Sequence, residues 1–455
     1  MTELPREFMD KMEGLLGEEA DAFFASYDKP RKYGLRRNAC KCDEALWREV
    51  IPFALSKVPW TEDGYYYQSE AQPGRHVYHE AGMYYIQEPS AMSAAYLLNV
   101  QPGDRVGDLC AAPGGKSTQI ASRLLGTGLL VANELYPARA RILSQNIERM
   151  GIRNAVVLNE KTEHMAELFP EFFDKLMVDA PCSGEGMFRK DEQARTEWSR
   201  EQVEVCADRQ LMILEHAAVM LRTGGEMIYS TCTFSPEENE GVILRFLQKH
   251  PEFEVMDLGV PKGFSPGRPE WTDAQGENLR TQLARTLRIF PHLSEGEGHF
   301  VAKLTKKGEN HFDGAIGILP DKRCCVSEWE RFMDELQLPA FKGVYHMFGD
   351  ILYLVPEDMI ELKGIRVERA GLELGTMKKN RFEPAHALAM TLKPEECARV
   401  VSLSVEQAGH YLHGETVPGD AENGWVLVTV DGLSIGWGKC VNGVIKNHYP
   451  KGLRR

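Results

Sequence analysis

The sequence predicts an α/β protein: a largely parallel sheet, with a small α+β domain before it and a β-rich domain after it. Three observations carry this expectation. Between residues 76 and 305, short apolar runs alternate with amphipathic stretches, the pattern of strands covered on both faces by helices. Residues 1–75 combine a helical stretch, Pro5 to Ala25, with a basic segment and a Trp/Tyr-rich stretch (Trp60, Tyr65, Tyr66, Tyr67). Near the C-terminus, Gly424–Val430 and Leu433–Trp437 flank Asp431-Gly432, a two-residue hairpin signal.

In chain order, strands are expected at Arg105–Leu109, Leu129–Asn133, Ala155–Leu158, Lys175–Val178 and Glu226–Ser230, with a further pair at Arg288–Phe290 and His299–Leu304. Helices are expected at Ser117–Leu125, Pro137–Met150, Ser199–Leu221 and Pro236–Lys249. The last would open on Ser235 as N-cap with Pro236 at its first position and carboxylates at 237 and 238. Residues 306–325, rich in Lys, Gly, Pro and Asp, suggest a linker. The divisions are therefore 1–75, 76–305, 306–375 (linker and middle domain) and 376–455.

Composition narrows the function classes. No apolar run reaches the ~20 residues a membrane helix needs, and the N-terminus lacks the order of a signal peptide, so a cytoplasmic protein is expected. The ten Cys are scattered and form no CxxC pair, which argues against a disulfide scaffold or a zinc site; no metal is expected. The net charge of −14 weighs mildly against a polyanionic partner. Two stretches run the other way: residues 29–42 hold six Lys/Arg and 439–455 hold five, neither with a carboxylate.

Three motifs carry chemistry. Asp108-Leu109-Cys110-Ala111-Ala112-Pro113-Gly114-Gly115-Lys116-Ser117 follows an expected strand and opens a helix. Its small side chains let a ligand approach the backbone at a helix N-terminus. A phosphate-binding loop would need Gly where Cys110 stands, which counts against a nucleoside-triphosphate-binding protein. Glu134, 26 residues after Asp108, is placed to meet ribose hydroxyls. A nucleoside-type ligand remains, with S-adenosylmethionine the best candidate. The second motif, Asp179-Ala180-Pro181-Cys182-Ser183-Gly184-Glu185-Gly186, leaves a strand abruptly because Pro181 forces Ala180 to be extended. The third, Ser230-Thr231-Cys232-Thr233-Phe234-Ser235-Pro236-Glu237-Glu238-Asn239-Glu240, places Cys232 at a strand end. Two thiols at one sheet edge beside a nucleoside site point to covalent chemistry, but residue logic alone leaves open which Cys attacks.

These motifs closely resemble those of the RNA 5-methylcytosine methyltransferase family (the Nol/Nop/Sun group), and family-like text recurs at Tyr78–Ala91 and Arg288–Ala302. The C-terminal part resembles the RsmF-like bacterial branch, whose tail, similar to Trp425–Arg455, forms a PUA-like RNA-binding domain. The resemblance implies a Rossmann-like S-adenosylmethionine methyltransferase sheet, flanked by an N-terminal RNA-binding domain and a PUA-like one. It implies methylation of carbon 5 of cytosine in 16S ribosomal RNA of the 30S subunit through a covalent Cys–cytosine intermediate. By the same resemblance Cys232 is the nucleophile and Cys182 assists release. Asp179 acts as the acid at ring nitrogen 3, and Lys116 lies near cofactor and base. The cofactor is assigned to Cys110, Ala111, Ala112, Pro113, Gly114, Gly115, Lys116, Glu134 and Asp179, with Arg139 as an additional residue. Glu160 is the acid after strand three, where many relatives carry Asp. The basic stretches would hold the RNA backbone. A non-catalytic RNA-binding module of ribosome assembly would not need both Cys182 and Cys232.

Overall fold

The computed structural model describes residues 4–308 and 326–454. It opens with two helical segments, Arg6–Leu16 and Ala20–Ala25. A four-stranded antiparallel sheet follows, made of β1 (Tyr33–Arg37), β2 (Leu55–Lys57), β3 (Gly64–Tyr67) and β4 (Tyr84–Ile86) in the order β2-β3-β1-β4.

The central sheet contains β5 (Arg105–Asp108), β6 (Leu129–Asn133), β7 (Ala155–Leu158), β8 (Phe173–Asp179) and β9 (Leu221–Thr231), followed by β10 (Phe253–Val255), β11 (Ser265–Pro266), β12 (Leu287–Ile289) and β13 (His299–Lys306). β7-β6-β5-β8-β9 are mutually parallel, and β13 closes on β9 antiparallel. Burial alternates along each strand: Val156, Leu158, Leu176 and Val178 join one apolar cluster, whereas Ala155, Val157 and Met177 join the other. Both faces are thus buried, which is why these strands read as unbroken apolar runs. The chain leaves β5 for β6 on one side and later returns to β8 on the other. The carboxyl ends of β5 and β8 therefore flank the switch point, where open α/β sheets bind ligands.

After residue 326 a second antiparallel sheet is formed by β14 (Val344–Phe348), β15 (Ile351–Val355), β17 (Leu372–Lys378) and β18 (Arg381–Pro384), while β16 (Val367–Ala370) pairs with β7 and extends the central sheet. The C-terminal sheet comprises β19 (Val400–Leu403), β20 (Val417–Pro418), β21 (Gly424–Val430), β22 (Leu433–Val441) and β23 (Val444–Asn447). Asp431 and Gly432 take φ of 46° and 77° between β21 and β22, the paired left-handed geometry of a tight hairpin. Val426 and Val428 from this sheet, with Tyr411 on the helix Val405–Leu412, share a core with Leu35 and Tyr84 of the N-terminal sheet and Trp47 on the helix Glu44–Val50.

Several expected boundaries differ. The division at 75–76 cuts the N-terminal sheet, because β4 pairs with β1. The 306–375 segment is no self-contained middle domain: β16 belongs to the central sheet, and the β14–β18 sheet crosses the expected division at 375–376. Of the expected linker, residues 309–325 lie outside the described residues. The helix expected from Pro236 begins at Glu240, for reasons that lie in the site. No helix among the described residues is long and apolar enough to cross a membrane.

Candidate active site

The carboxyl ends of β5, β6, β8 and β9 bring most of the expected residues together. The loop Cys110–Gly114 runs from β5 into the helix Gly115–Leu124, with Gly114 at φ 112°. Asn133 ties this region: its own carbonyl accepts from Ala111 N–H (2.8 Å), its amide donates to the carbonyls of Leu109 and Glu160, and its Oδ1 accepts from Glu160 N–H (2.9 Å). Arg139 donates to the Ala112 carbonyl (2.8 Å) and lies 3.5 Å from Glu134 Oε2, whose other oxygen accepts from Tyr136 N–H. Arg139 therefore braces the loop and the acid whose spacing from Asp108 places it toward ribose.

The two side chains that a phosphate-binding loop would present to phosphate and metal are committed elsewhere. Ser117 Oγ donates to Asp108 Oδ2 (2.6 Å), and Lys116 Nζ pairs with Asp179 Oδ2 (2.8 Å). Burial pushes the Asp108 carboxyl up to about 7. Burial also opposes ionisation of Asp179, but the Lys116 ammonium, with Ser230 Oγ donating to Oδ1 (2.7 Å), holds its carboxyl below the usual range. Lys116 shifts the opposite way, because Asp179 outweighs its burial. Lys116 and Asp179 thus form an ion pair at the sheet edge, with Asp179 as the carboxylate.

Cys182 and Cys232 face each other with Sγ–Sγ at 3.2 Å, and Cys232 N–H donates to Cys182 Sγ (3.3 Å). The bond shared with Cys232, then burial, then Glu238 push the Cys182 thiol well above its ordinary value. A reciprocal clasp holds the two loops. Glu185, from the Cys182 loop, accepts from Phe234 N–H (2.9 Å), Ser235 O–H (2.6 Å) and Trp198 Nε1 (3.0 Å). Glu238, from the Cys232 loop, accepts from Ser183 N–H (2.9 Å), Ser183 O–H and Gln210 Nε2 (2.8 Å). Gly186 N–H donates to the Cys232 carbonyl (2.8 Å), and a Cβ at Gly186 would stand 2.9 Å from that oxygen, so only glycine fits there.

The clasp explains the displaced helix start. Ser235 spends its hydroxyl on Glu185 instead of capping, Glu237 pairs with Lys11 (2.7 Å), and Glu238 turns inward. Asn239 bonds Thr231 Oγ1 (2.6 Å) and the Thr233 carbonyl (3.0 Å), so regular helix begins only afterwards.

Other expected residues are engaged differently. The Glu160 carboxylate accepts from Arg366 N–H (2.8 Å) and Arg366 Nη2 (2.9 Å), with His164 Nδ1 at 3.1 Å. Burial opposes its ionisation, but these partners hold it down to about 2. In the basic stretch 29–42, only Lys29, Arg31 and Lys32 line an open groove or its rim, beside Arg189 and His292. Arg36 is buried and donates to Gln87, to the Gly115 carbonyl and to Thr118. Arg37 pairs with Asp63, and Lys41 Nζ reaches the Ser434 carbonyl. Half of that stretch thus serves the fold. Lys439, Lys446 and Lys451 of the tail are exposed.

Sequence reasoning missed His299 as well as Glu185 and Gln210. Phe300 pairs with Thr231, which sets His299 at the strand end beside Cys232. Its burial, and next the Lys116 charge, push its imidazole down to about 4. The signal was available: His299 opens the strand ahead of the apolar run Phe300–Ala302. Among the described residues no cluster of three or more His, Cys, Asp or Glu could hold a metal ion.

Comparison with known proteins agrees with this architecture. Residues 95–305 match the family described as 16S rRNA methyltransferase RsmB/F, and 4–89 the N-terminal domain of 16S rRNA methyltransferase RsmF. Residues 331–392 match the RsmF rRNA methyltransferase first C-terminal domain, and 398–455 the methyltransferase RsmF PUA domain. Ribosomal RNA small subunit methyltransferase F of Vibrio vulnificus is 32% identical over 99% of this chain and 98% of its own length. The Vibrio campbellii protein of the same name is 33% identical at the same coverage. Among solved structures, a methyltransferase homolog protein from Pyrococcus horikoshii is 28% identical with TM-score 0.56, over 67% of this chain and 95% of that one. NSun6 from Pyrococcus horikoshii, solved with SFG, shares the fold at 22% identity and TM-score 0.55, over 67% and 99%. With relatives above 30% identity along nearly its whole length, and with the domain matches falling in chain order, this chain belongs to the RsmF family of ribosomal RNA small-subunit methyltransferases.

Proposed function

We infer that the protein methylates carbon 5 of cytosine in 16S ribosomal RNA, using S-adenosylmethionine and a covalent Cys232–cytosine adduct. The single observation that carries this chemistry is the pair of facing thiols, 3.2 Å apart, at the same sheet edge as the Lys116–Asp179 pair. Family membership supplies the substrate class. The natural substrate is the RNA within the 30S particle, in the bacterial cytoplasm.

The residues present fit the cofactor. The small-residue loop Cys110–Gly114 offers backbone at a helix N-terminus, and Glu134 is buried at the end of the neighbouring strand. These residues, with Gly115, Lys116, Arg139 and Asp179, would hold it. Glu160 would contribute from the far side of Asn133, its carboxylate shared with Arg366. When bound, S-adenosylmethionine supplies an electrophilic sulfonium methyl group. The chain does the rest. Cytosine carbon 5 is a poor nucleophile until a thiolate adds to carbon 6. Cys232 makes that addition, and the Lys116 ammonium, oriented by Asp179, supplies the proton that relieves charge at ring nitrogen 3. Cys182, kept protonated, faces the departing Cys232 sulfur at release. The target base must be unstacked to reach this edge, which favours a loop or melted segment of the RNA. The exposed lysines of the C-terminal sheet and the Lys29–Lys32 rim would contact flanking phosphates.

The test is incubation of undermethylated 30S particles with methyl-labelled S-adenosylmethionine, followed by nucleoside analysis. Label in 5-methylcytidine of 16S RNA is expected. Label in any other nucleoside, or none in particles or naked RNA, would contradict the assignment.

A further inference from the structure

Glu238 is fully buried with no cation in hydrogen-bond contact: its carboxylate is met by Ser183 N–H, Ser183 O–H and Gln210, all neutral. A buried carboxylate without a cation is costly to desolvate, and a neutral side chain could link two loops at lower cost. Its placement points to use in the chemistry. Ser183 directly follows Cys182, and Ser183 Oγ lies 2.9 Å from Thr233 Oγ1, on the residue directly following Cys232. One carboxylate therefore governs the residues adjoining both thiols. Tyr229 O–H donates to the Glu238 carbonyl (2.5 Å) and to Gln210 Oε1 (2.9 Å), which fixes the carboxylate's own position. Glu185 differs, because its bonds go to Phe234, Ser235 and Trp198 and none to a residue adjoining a cysteine.

We propose that Glu238 is a positioning residue for product release: through Ser183 it holds the Cys182 S–H against Cys232, so that its loss slows breakdown of the covalent RNA adduct more than formation. The inference rests on the thiol roles given above. In release, the carbon 5 proton leaves to solvent water and its bonding pair re-forms the C5=C6 double bond. The C6–S bond breaks, its pair returning to Cys232 as thiolate, and the nitrogen 3 proton returns to the Lys116–Asp179 pair. Cys182 S–H donates a hydrogen bond to the departing sulfur and gives up no proton. A hydrogen-bond donor to a developing charge works only when held in line, and misplacement by about 1 Å can cost on the order of a hundredfold.

The experiment uses the full-length enzyme, undermethylated small-subunit RNA and S-adenosylmethionine under single-turnover conditions. Adduct is followed on denaturing gels and 5-methylcytidine by nucleoside analysis. Glu238→Ala should form adduct at a rate within about threefold of wild type and break it down about tenfold or more slowly. Glu238→Gln, which keeps one acceptor oxygen, should fall between the two. Ser183→Ala, which loses the hydroxyl link and leaves the carboxylate in place, should show the same selective defect if Glu238→Ala does not fold. Equal slowing of formation and breakdown, or no slowing of either, would overturn the proposal. Cys182→Ala and Cys232→Ala in the same assay keep the two readings apart. Adduct persisting in Cys232→Ala would sink the thiol assignment itself, whatever the Glu238 variants do.

Discussion

Glu238 at the thiols and Glu148 and Glu160 beneath the C-terminal half are carboxylates of one catalytic domain, Glu238 and Glu160 fully buried and Glu148 partly so, satisfied in opposite ways. Glu238 meets only neutral donors, and burial pushes its carboxyl up to about 7. Glu148 faces Arg369 and His386, and Glu160 faces Arg366 and His164; despite their burial both are held down to about 2. The seam uses guanidinium charge to bind β16 and the segment behind it onto β7 and the helix Pro137–Arg149. At the thiols, charge is left uncompensated beside a sulfur pair. The site itself holds both kinds: Glu238 and Glu185 meet only neutral donors, whereas Asp179 keeps the Lys116 ammonium.

Breaking the site should give the largest effect. Asp179→Asn removes the negative charge that pairs with Lys116 and should lower turnover by about 10²–10⁴-fold, measured as label incorporation at saturating RNA. At the seam, Arg369→Met leaves the partly buried Glu148 with His386 alone. It should cost about 3 kcal/mol, read from denaturant unfolding, with turnover of the folded fraction little changed.

The two regions should also respond oppositely to pH. Glu148 and Glu160 have folded values below the ordinary 4.5, so their contribution is complete above that value and is lost as pH falls from about 4.5 toward 2. Wild type should lose stability over that window more steeply than Arg369→Met. Glu238 has a raised value, so its ionisation increasingly burdens the fold as pH rises from 4.5 to about 7. The stability of Glu238→Gln relative to wild type should therefore improve across that range, as thermal melts at pH 5 and pH 8 can check. The smallest effect belongs to Arg366→Ala. Its side chain is 61% exposed, and the Arg366 N–H and His164 still meet Glu160 after the truncation, so the melting temperature should fall less than in Arg369→Met.

Legibility in the sequence followed the range of the forces involved. The central strands and the hairpin at Asp431-Gly432 were readable because period, apolar run and turn residues are local signals. The helix start at Pro236 was misread because its cap, Ser235, is claimed by Glu185, fifty residues away in sequence. The basic stretch 29–42 was read as one surface, yet Arg36 and Lys41 are spent on Gly115 and Ser434. β16 carries an ordinary local pattern, and nothing in it tells that it pairs with β7. At the site, Cys182, Cys232, Asp179 and Lys116 could be named from the three motifs and the family they resemble. Their protonation and the Glu185–Glu238 clasp needed the fold, since burial and partner charge are not local properties.

The central claim is that Cys232 attacks and Cys182 serves release. Its most direct test is the RNA-linked fraction of Cys182→Ala and Cys232→Ala protein on denaturing gels after incubation with undermethylated small-subunit RNA and S-adenosylmethionine. The account predicts a stable adduct in Cys182→Ala and none in Cys232→Ala. An adduct confined to Cys232→Ala would reverse the roles, and adduct in neither variant would contradict the division of labour between the two thiols.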